Sequence, residues 1–325
     1  MTTIGISGIG SIGSRHARVL GTLAGVDLVV FDPFATEENI AERVGLPVRR
    51  VPSYEDLLAA GIDGIVVATP DDSHADQVIS ACGLGIPVLV EKPVADTVDH
   101  GRAILAAAER SGTPVLVGYV LHYVSCFRRA AELLAAGAIG APVSFQVMLG
   151  AYETLQYARN RFGPGVRDTL YVDYSHEWDY LRWFIAPVVG GYALARTAGE
   201  LELRQSPNVL DAVLRLADGT TGTAHVDYVQ LPGARRCTIV GDQGTLHLDG
   251  GTQRVTVTPR TGEEARVQVF AEERDVSFRA QAMHFLEVIA GACPPAVDLA
   301  AGMAALQTAD ALRRSVEERR WIDIN

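Results

Sequence analysis

Residues 5–13 read GISGIGSIG. Gly8, Gly10 and Gly13 stand in G-x-G-x-x-G spacing, directly after the apolar run TIGIS and at the head of a helical stretch, SIGSRHARVL. Strand, glycine turn and helix in that order form the phosphate-binding corner of a doubly wound α/β sheet. The first glycine permits the tight turn. The second lets a pyrophosphate approach the backbone, and the third allows close helix–strand packing. The N–H groups of Ser11, Ile12 and Gly13 at the helix start then meet the phosphates. Asp32, in VVFDP, lies 19 residues past Gly13 at the end of the next apolar run. A carboxylate there accepts hydrogen bonds from ribose hydroxyls and repels a 2′-phosphate. No Arg or Lys follows in PFATEEN, so NAD is expected rather than NADP.

Working outward, TIGISGI, VDLVVFD, VRRV, GIVVAT, PVLVEK and PVLVGY read as strands. They are continuous apolar runs, which suits strands buried on both faces, and helical stretches such as 73–83 and 97–111 separate them. This predicts a parallel Rossmann sheet over 1–119. Past residue 120 a helix near 124–136 ends at Gly137. The strands that follow alternate, as in VSFQVML, YALARTA, DAVLRLADGTTGTAHVDYV, RCTIVGDQGTLHLDG and RVTVTP. Turns such as DGTT and DQGT separate them. The second domain, 120–325, is therefore expected to be α+β, with an open-faced, mostly antiparallel sheet and two closing helices near 276–291 and 298–318.

Composition narrows the function. The 325-residue chain carries a net charge of −11, which argues against nucleic-acid and anionic membrane partners. No apolar run is long enough to span a bilayer, and the N-terminus has no signal-peptide pattern. Cys82, Cys126, Cys237 and Cys293 form neither a CxxC nor a Cys/His pattern. No metal site or disulfide framework is indicated, and a cytoplasmic protein with reduced thiols is expected.

Two further loops follow strand ends, where open α/β sheets bind ligands. ATPDDSH, at 68–74, holds Thr69, Pro70 and His74; EKP, at 91–93, holds Glu91 and Lys92. All five are expected at the cofactor, with Lys92 beside the nicotinamide. Farther on, residues 172–183 read VDYSHEWDYLRW, which places His176 among Asp173, Glu177 and Asp179. Hydride removal from an alcohol carbon needs a base for the hydroxyl proton, and histidine suits that role. Asp173 and Asp179 each stand three residues from His176, so on one helix either acid can fix its tautomer.

GIGSIGSRHARVL, ATPDDSH, VEKP, VGYVLHY, IVGDQGTLHLD and the tail from HFLEVIAG onward resemble, in order, the Gfo/Idh/MocA family of glucose–fructose oxidoreductases and inositol dehydrogenases. The resemblance covers essentially the whole chain. It implies NAD(P)-dependent redox chemistry on sugars, amino sugars, cyclitols or related polyols. It gives Lys92 contact with the nicotinamide ribose and the substrate, often with a cis peptide before the following proline, here Lys92–Pro93. The family spaces its acid and histidine as D-x-x-x-H, whereas here Val172 stands four residues before His176 and Asp173 three. Anchoring on DYLRW puts His176 in the histidine position; anchoring on Asp173 puts Glu177 there. In the first alignment the catalytic set is Lys92, His176 and Asp173. Tyr119 and His122, with His122 where the family often has arginine, and Tyr152, Tyr157, Arg161 and Arg167 are candidate substrate contacts.

The expected activity is a dehydrogenase or ketoreductase acting on a CH–OH group. Two rivals stay open. Bound NAD can serve a transient oxidation that enables elimination or glycosidic cleavage, or the fold can serve as a non-catalytic sugar-binding regulator. A homodimer or homotetramer is expected, because one face of the second sheet lacks helices of its own to cover it.

Overall fold

The computed structural model describes residues 1–157, 169–203 and 205–324. Two compact units emerge: Met1–Tyr123 with Glu273–Met303, and Val124–Glu272 with Ala304–Asn325. The first of the closing helical segments thus clusters with the N-terminal unit, whereas the expected division left all of 120–325 in the second.

In the first unit, strands β1 (Thr2–Ser7), β2 (Val26–Phe31), β3 (Arg49–Arg50), β4 (Gly64–Val67), β5 (Val88–Val90) and β6 (Val115–Val117) form one sheet in the order β3-β2-β1-β4-β5-β6. Every neighbouring pair is parallel. Ile4, Ile6, Val30, Ile65, Val66, Val67, Val88, Val90 and Val117 have no exposed surface, as continuous apolar strands require. Because the strands are parallel, the segments that leave β1, β2, β4, β5 and β6 all emerge at one edge. The order reverses between β1 and β4, and a ligand crevice lies at such a switch point. The intervening helices are α1 (Ser11–Gly21), α2 (Glu37–Val44), α3 (Tyr54–Leu58), α4 (His74–Gly83) and α5 (Val98–Ser111).

The second unit holds α6 (Ser125–Ala135), α7 (Glu153–Tyr157), α8 (Thr169–Asp173) and α9 (Ser175–Phe184). Its strands are β7 (Pro142–Gly150), β8 (Val188–Arg196), β9 (Val209–Leu216), β10 (Thr221–Asp227), β11 (Ala234–Gly241), β12 (Gly244–Asp249), β13 (Arg254–Pro259), β14 (Arg266–Val269) and β15 (Ile322–Asp323). They pair as β14-β13-β12-β11-β7-β10-β9-β8-β15. All pairs are antiparallel except β7 with β10. One face buries Phe145, Val147, Leu210, Leu214, Ile239, Leu246 and Val257. Phe127 of α6 packs on this side against Tyr180 and Phe184 of α9, with ring centroids 5.5 and 6.3 Å apart. The other face leaves Leu194 61% and Val213 48% exposed, so the sheet is open on that side.

The chain closes with α10 (Arg274–Ile289) and α11 (Leu299–Glu318). Helix α10 joins the first unit through α1. Phe278 meets His16 edge-on at 5.4 Å and lies 5.2 Å beneath the Arg15 guanidinium, which also pairs with Asp275 at 3.3 Å. Ile289 and Phe285 sit against Gly64, where a Cβ would fall 2.5 Å from Ile289 Cδ1. This packing is why 273–303 returns to the first unit. No helix among the described residues is long and apolar enough to cross a membrane, and all four cysteines are free.

Candidate functional site

The glycine loop differs sharply from position to position. Gly8 has φ +87°, and a Cβ on it would lie 2.7 Å from the Ala68 carbonyl oxygen. A Cβ on Gly13 would lie 1.8 Å from the Gly8 carbonyl oxygen. At Gly10 a Cβ would meet nothing within 4 Å. Gly8 and Gly13 are therefore demanded by the chain itself, whereas the bare Gly10 leaves open space over the loop. Helix α1 starts there with no acid in its first turn and no side-chain cap, so its N–H groups suit an anion. These residues fit a dinucleotide pyrophosphate.

Asp32 is 9% exposed at the end of β2. Its Oδ2 accepts from Ile9 N–H at 2.8 Å, and Oδ1 accepts from Phe34 and Ala35 N–H at 2.8 and 2.9 Å. Asp32 thus braces the glycine loop, and Oδ2 keeps acceptor capacity for a ribose hydroxyl. Arg43, which sequence reasoning passed over, comes from α2 to donate to the Ile9 carbonyl at 3.0 Å. The backbone of Ile9 is thus held at its N–H by an acid and at its carbonyl by a guanidinium. Replacing Asp32 with alanine is expected to narrow the preference for NAD over NADP, since carboxylate repulsion of a 2′-phosphate disappears while Arg43 remains. Catalytic efficiency with each nucleotide reads this; a wild-type enzyme that prefers NADP contradicts it.

The other loops are tied to one another. Glu91 Oε1 meets His16 Nε2 at 2.8 Å, and Oε2 accepts from Lys92 N–H at 3.2 Å. His74 is 1% exposed, with Nδ1 2.9 Å from the Pro93 carbonyl oxygen and Nε2 3.0 Å from that of Thr69. Glu91 and His74 were expected at the cofactor; their resolved partners lie inside the protein, where they join loops. The Lys92–Pro93 peptide is cis. Lys92 is half-buried. Tyr119 has no exposed surface, so it meets a ligand only if its neighbours move, whereas His122 in the turn after β6 is half-buried.

The stretch from 172 to 183 is not one helix. Its helical segments α8 and α9 are separated at Tyr174, with φ −97° and ψ 25°. Asp173 ends the first segment and His176 belongs to the second, so of the two acids expected three residues from His176 only Asp179 shares its helix. Asp173 is buried and accepts from the Tyr228 hydroxyl at 2.6 Å; Tyr228 in turn lies 3.2 Å from Thr169 Oγ1. Burial and the charge of Asp173 push the Tyr228 phenol well above its usual range, so it stays protonated and donates. Glu177 is fully buried and pairs with Arg235 of β11 at 2.8 Å. Asp179, 1% exposed, lies 4.0 Å from Arg182. The segment's three acids are thus buried, whereas His176 is partly exposed. Tyr152 lies at the start of α7, where its hydroxyl accepts from Leu203 N–H at 3.2 Å. Arg161 and Arg167, and the side chain of Tyr157, lie outside the described residues.

A cluster of His284, Glu287 and Cys293 also combines metal-ligand types, with Nδ1 of the histidine 3.8 Å from the cysteine Sγ. Ala296 N–H donates to His284 Nε2 at 3.0 Å. A neutral ring that accepts there carries its proton on Nδ1, which therefore faces the sulfur and carboxylate as a donor. The cluster reads as a hydrogen-bonded tie between α10 and the segment after it.

The model of an oxidoreductase family with an NAD-binding Rossmann fold matches residues 2–119, and the GFO/IDH/MocA C-terminal domain matches 127–247. The chain belongs to the GFO/IDH/MocA family, and its first domain is an NAD-binding Rossmann domain. It is 26% identical over 316 residues to the rhizopine catabolism protein MocA of Rhizobium meliloti, covering 95% of this chain and 93% of that one. It is 28% identical over 304 residues to the myo-inositol dehydrogenase Hyg17 of Streptomyces leeuwenhoekii, covering 89% of each. Among solved structures, an Agrobacterium radiobacter oxidoreductase in complex with NAD+, L-tartaric acid and magnesium superposes with a TM-score of 0.87 at 19% identity, over 99% of this chain and 98% of that one. A levoglucosan dehydrogenase complex with NADH and levoglucosan gives 0.86 at 16% identity, over 99% of each. At these identities the structural likeness bears on the fold alone.

Proposed function

We infer that the protein is an NAD-dependent dehydrogenase, or in reverse a ketoreductase, acting on a secondary hydroxyl of a cyclitol, sugar or amino sugar. The observation that carries the reading is the disposition of the 172–183 acids. Asp173 is engaged by Tyr228 and Glu177 by Arg235, while His176 keeps an exposed part. That favours His176 over Glu177 as the base. Relatives named as inositol dehydrogenases support the substrate class.

Bound NAD+ would supply the acceptor for the hydride that leaves the carbinol carbon. In that direction a ring nitrogen of His176 receives the hydroxyl proton, and the C–O bond becomes a carbonyl. The ammonium of Lys92 donates to the same oxygen and stabilises the negative charge it develops. Asp173 serves His176 indirectly: through Tyr228 and the segment junction it fixes where α9 begins. The residues over the glycine loop, with Asp32 and Arg43, hold the nucleotide. A panel of inositols, sugars and amino sugars offered with NAD tests the reading: NADH absorbance should rise with at least one polyol, and a flat trace across the panel counts against it.

The open face of the second sheet, with Leu194 and Val213 exposed, is assigned to a second copy of the chain. Light scattering at micromolar concentration is expected to give a dimer or tetramer; the 34.8 kDa monomer mass contradicts this.

A further inference from the structure

Lys92 has its backbone tied on both sides. Ahead of it, its own N–H donates to Glu91 Oε2, and the other Glu91 oxygen is held by the buried His16. Behind it, the carbonyl of Pro93 lies 2.9 Å from Nδ1 of His74. The other nitrogen of the same ring lies 3.0 Å from the carbonyl of Thr69. The two carbonyls belong to different loops, one after β4 and one after β5. A carbonyl oxygen only accepts, so each bond needs an N–H on the ring; a doubly protonated ring holds both loops, a singly protonated one holds either. A histidine that merely filled the core would need no such donors. One that bound the cofactor would need an exposed edge, and His74 is 1% exposed.

We propose that His74 is a positioning residue: it clamps the Pro93 carbonyl against the loop after β4 and so sets where the Lys92 ammonium stands. It acts without touching nucleotide or substrate. The proposal rests on the assignment of Lys92 to the reacting oxygen.

The two ring nitrogens can be tested separately. Asparagine places its amide nitrogen near the Nδ1 position and glutamine near the Nε2 position. His74→Asn keeps a donor for Pro93, and His74→Gln keeps one for Thr69. His74→Gln is expected to lower kcat by about 10- to 100-fold, the scale of a misplaced catalytic group. His74→Asn should stay within about threefold of wild type, and both should bind NAD within about threefold. Equal losses in the two variants, or a larger loss in the asparagine variant, overturn the proposal. So does weakened NAD binding with unchanged kcat, which returns His74 to the cofactor site. Histidine-ring NMR of the wild-type protein gives a readout independent of mutant folding: Nδ1 of His74 should carry a slowly exchanging proton, and a bare Nδ1 refutes the clamp. Lys92→Ala measured alongside separates the two ideas. If that variant keeps turnover, the role of Lys92 fails, while the NMR result still decides whether His74 holds Pro93.

Discussion

His176→Ala and Lys92→Ala are each expected to remove most turnover while leaving NAD affinity nearly intact. Loss of a general base costs about 10²–10⁴-fold in rate. Loss of a donor to the developing oxyanion costs about 10²–10³-fold. Cofactor affinity is assigned instead to the glycine loop and Asp32. Glu177→Gln should spare the chemistry far more, because its structural role is to pair with Arg235; its cost should appear as lowered Tm, since one charge of a buried pair is left uncompensated. Asp173→Asn should fall between, weakening the bond from Tyr228 rather than removing the proton acceptor. NAD titration, Tm and turnover for the four variants check the set. A dead but stable Glu177→Gln beside an active His176→Ala would mean the base is Glu177.

The second large effect separates two glycines that a sequence pattern treats alike. Gly10→Ala is expected to fold with unchanged Tm, because its φ of −73° suits any residue and its Cβ meets open space. It should nevertheless lose NAD affinity by about tenfold or more, since the methyl occupies the approach of the pyrophosphate. Gly13→Ala is expected to behave differently. Its Cβ would fall 1.8 Å from the Gly8 carbonyl oxygen, a backbone atom that cannot step aside alone. Overpacking of this kind costs roughly 1–3 kcal/mol, read as a drop of several degrees in Tm together with weakened NAD binding. Thermal unfolding and NAD titration of the two variants check the contrast. If Gly10→Ala binds NAD as well as wild type, the phosphates do not cross at that residue.

The glycine loop and Asp32 can be read in the sequence because each residue answers a local demand: a turn with positive φ, a bare backbone, an acid at a strand end. The parallel sheet is legible in its continuous apolar runs, and the second sheet in its alternation. What links the loops is not. His16 meets Glu91 across 75 positions, Arg43 meets Ile9 across 34, and Tyr228 meets Asp173 across 55. Such pairings follow from strand order and leave no periodic trace. The junction at Tyr174 is hidden for a related reason: helical spacing continues on both sides of it. The edge strands β14 and β15, four and two residues long, are too short to stand out as runs. The return of α10 to the first unit is set by its contacts with α1, whereas the sequence shows 276–291 only as one more helical stretch.

Net hydride transfer from a polyol carbon to NAD leaves an isotopic trace. Its most direct measurement uses a substrate from the panel, deuterated at the carbinol carbon, with NAD in excess. The deuterium should appear in NADH, one for each carbonyl formed, and the Lys92→Ala and His176→Ala enzymes should form almost none. Product that forms with the deuterium retained and without accumulation of NADH would contradict it, and would show that bound NAD serves a transient oxidation instead.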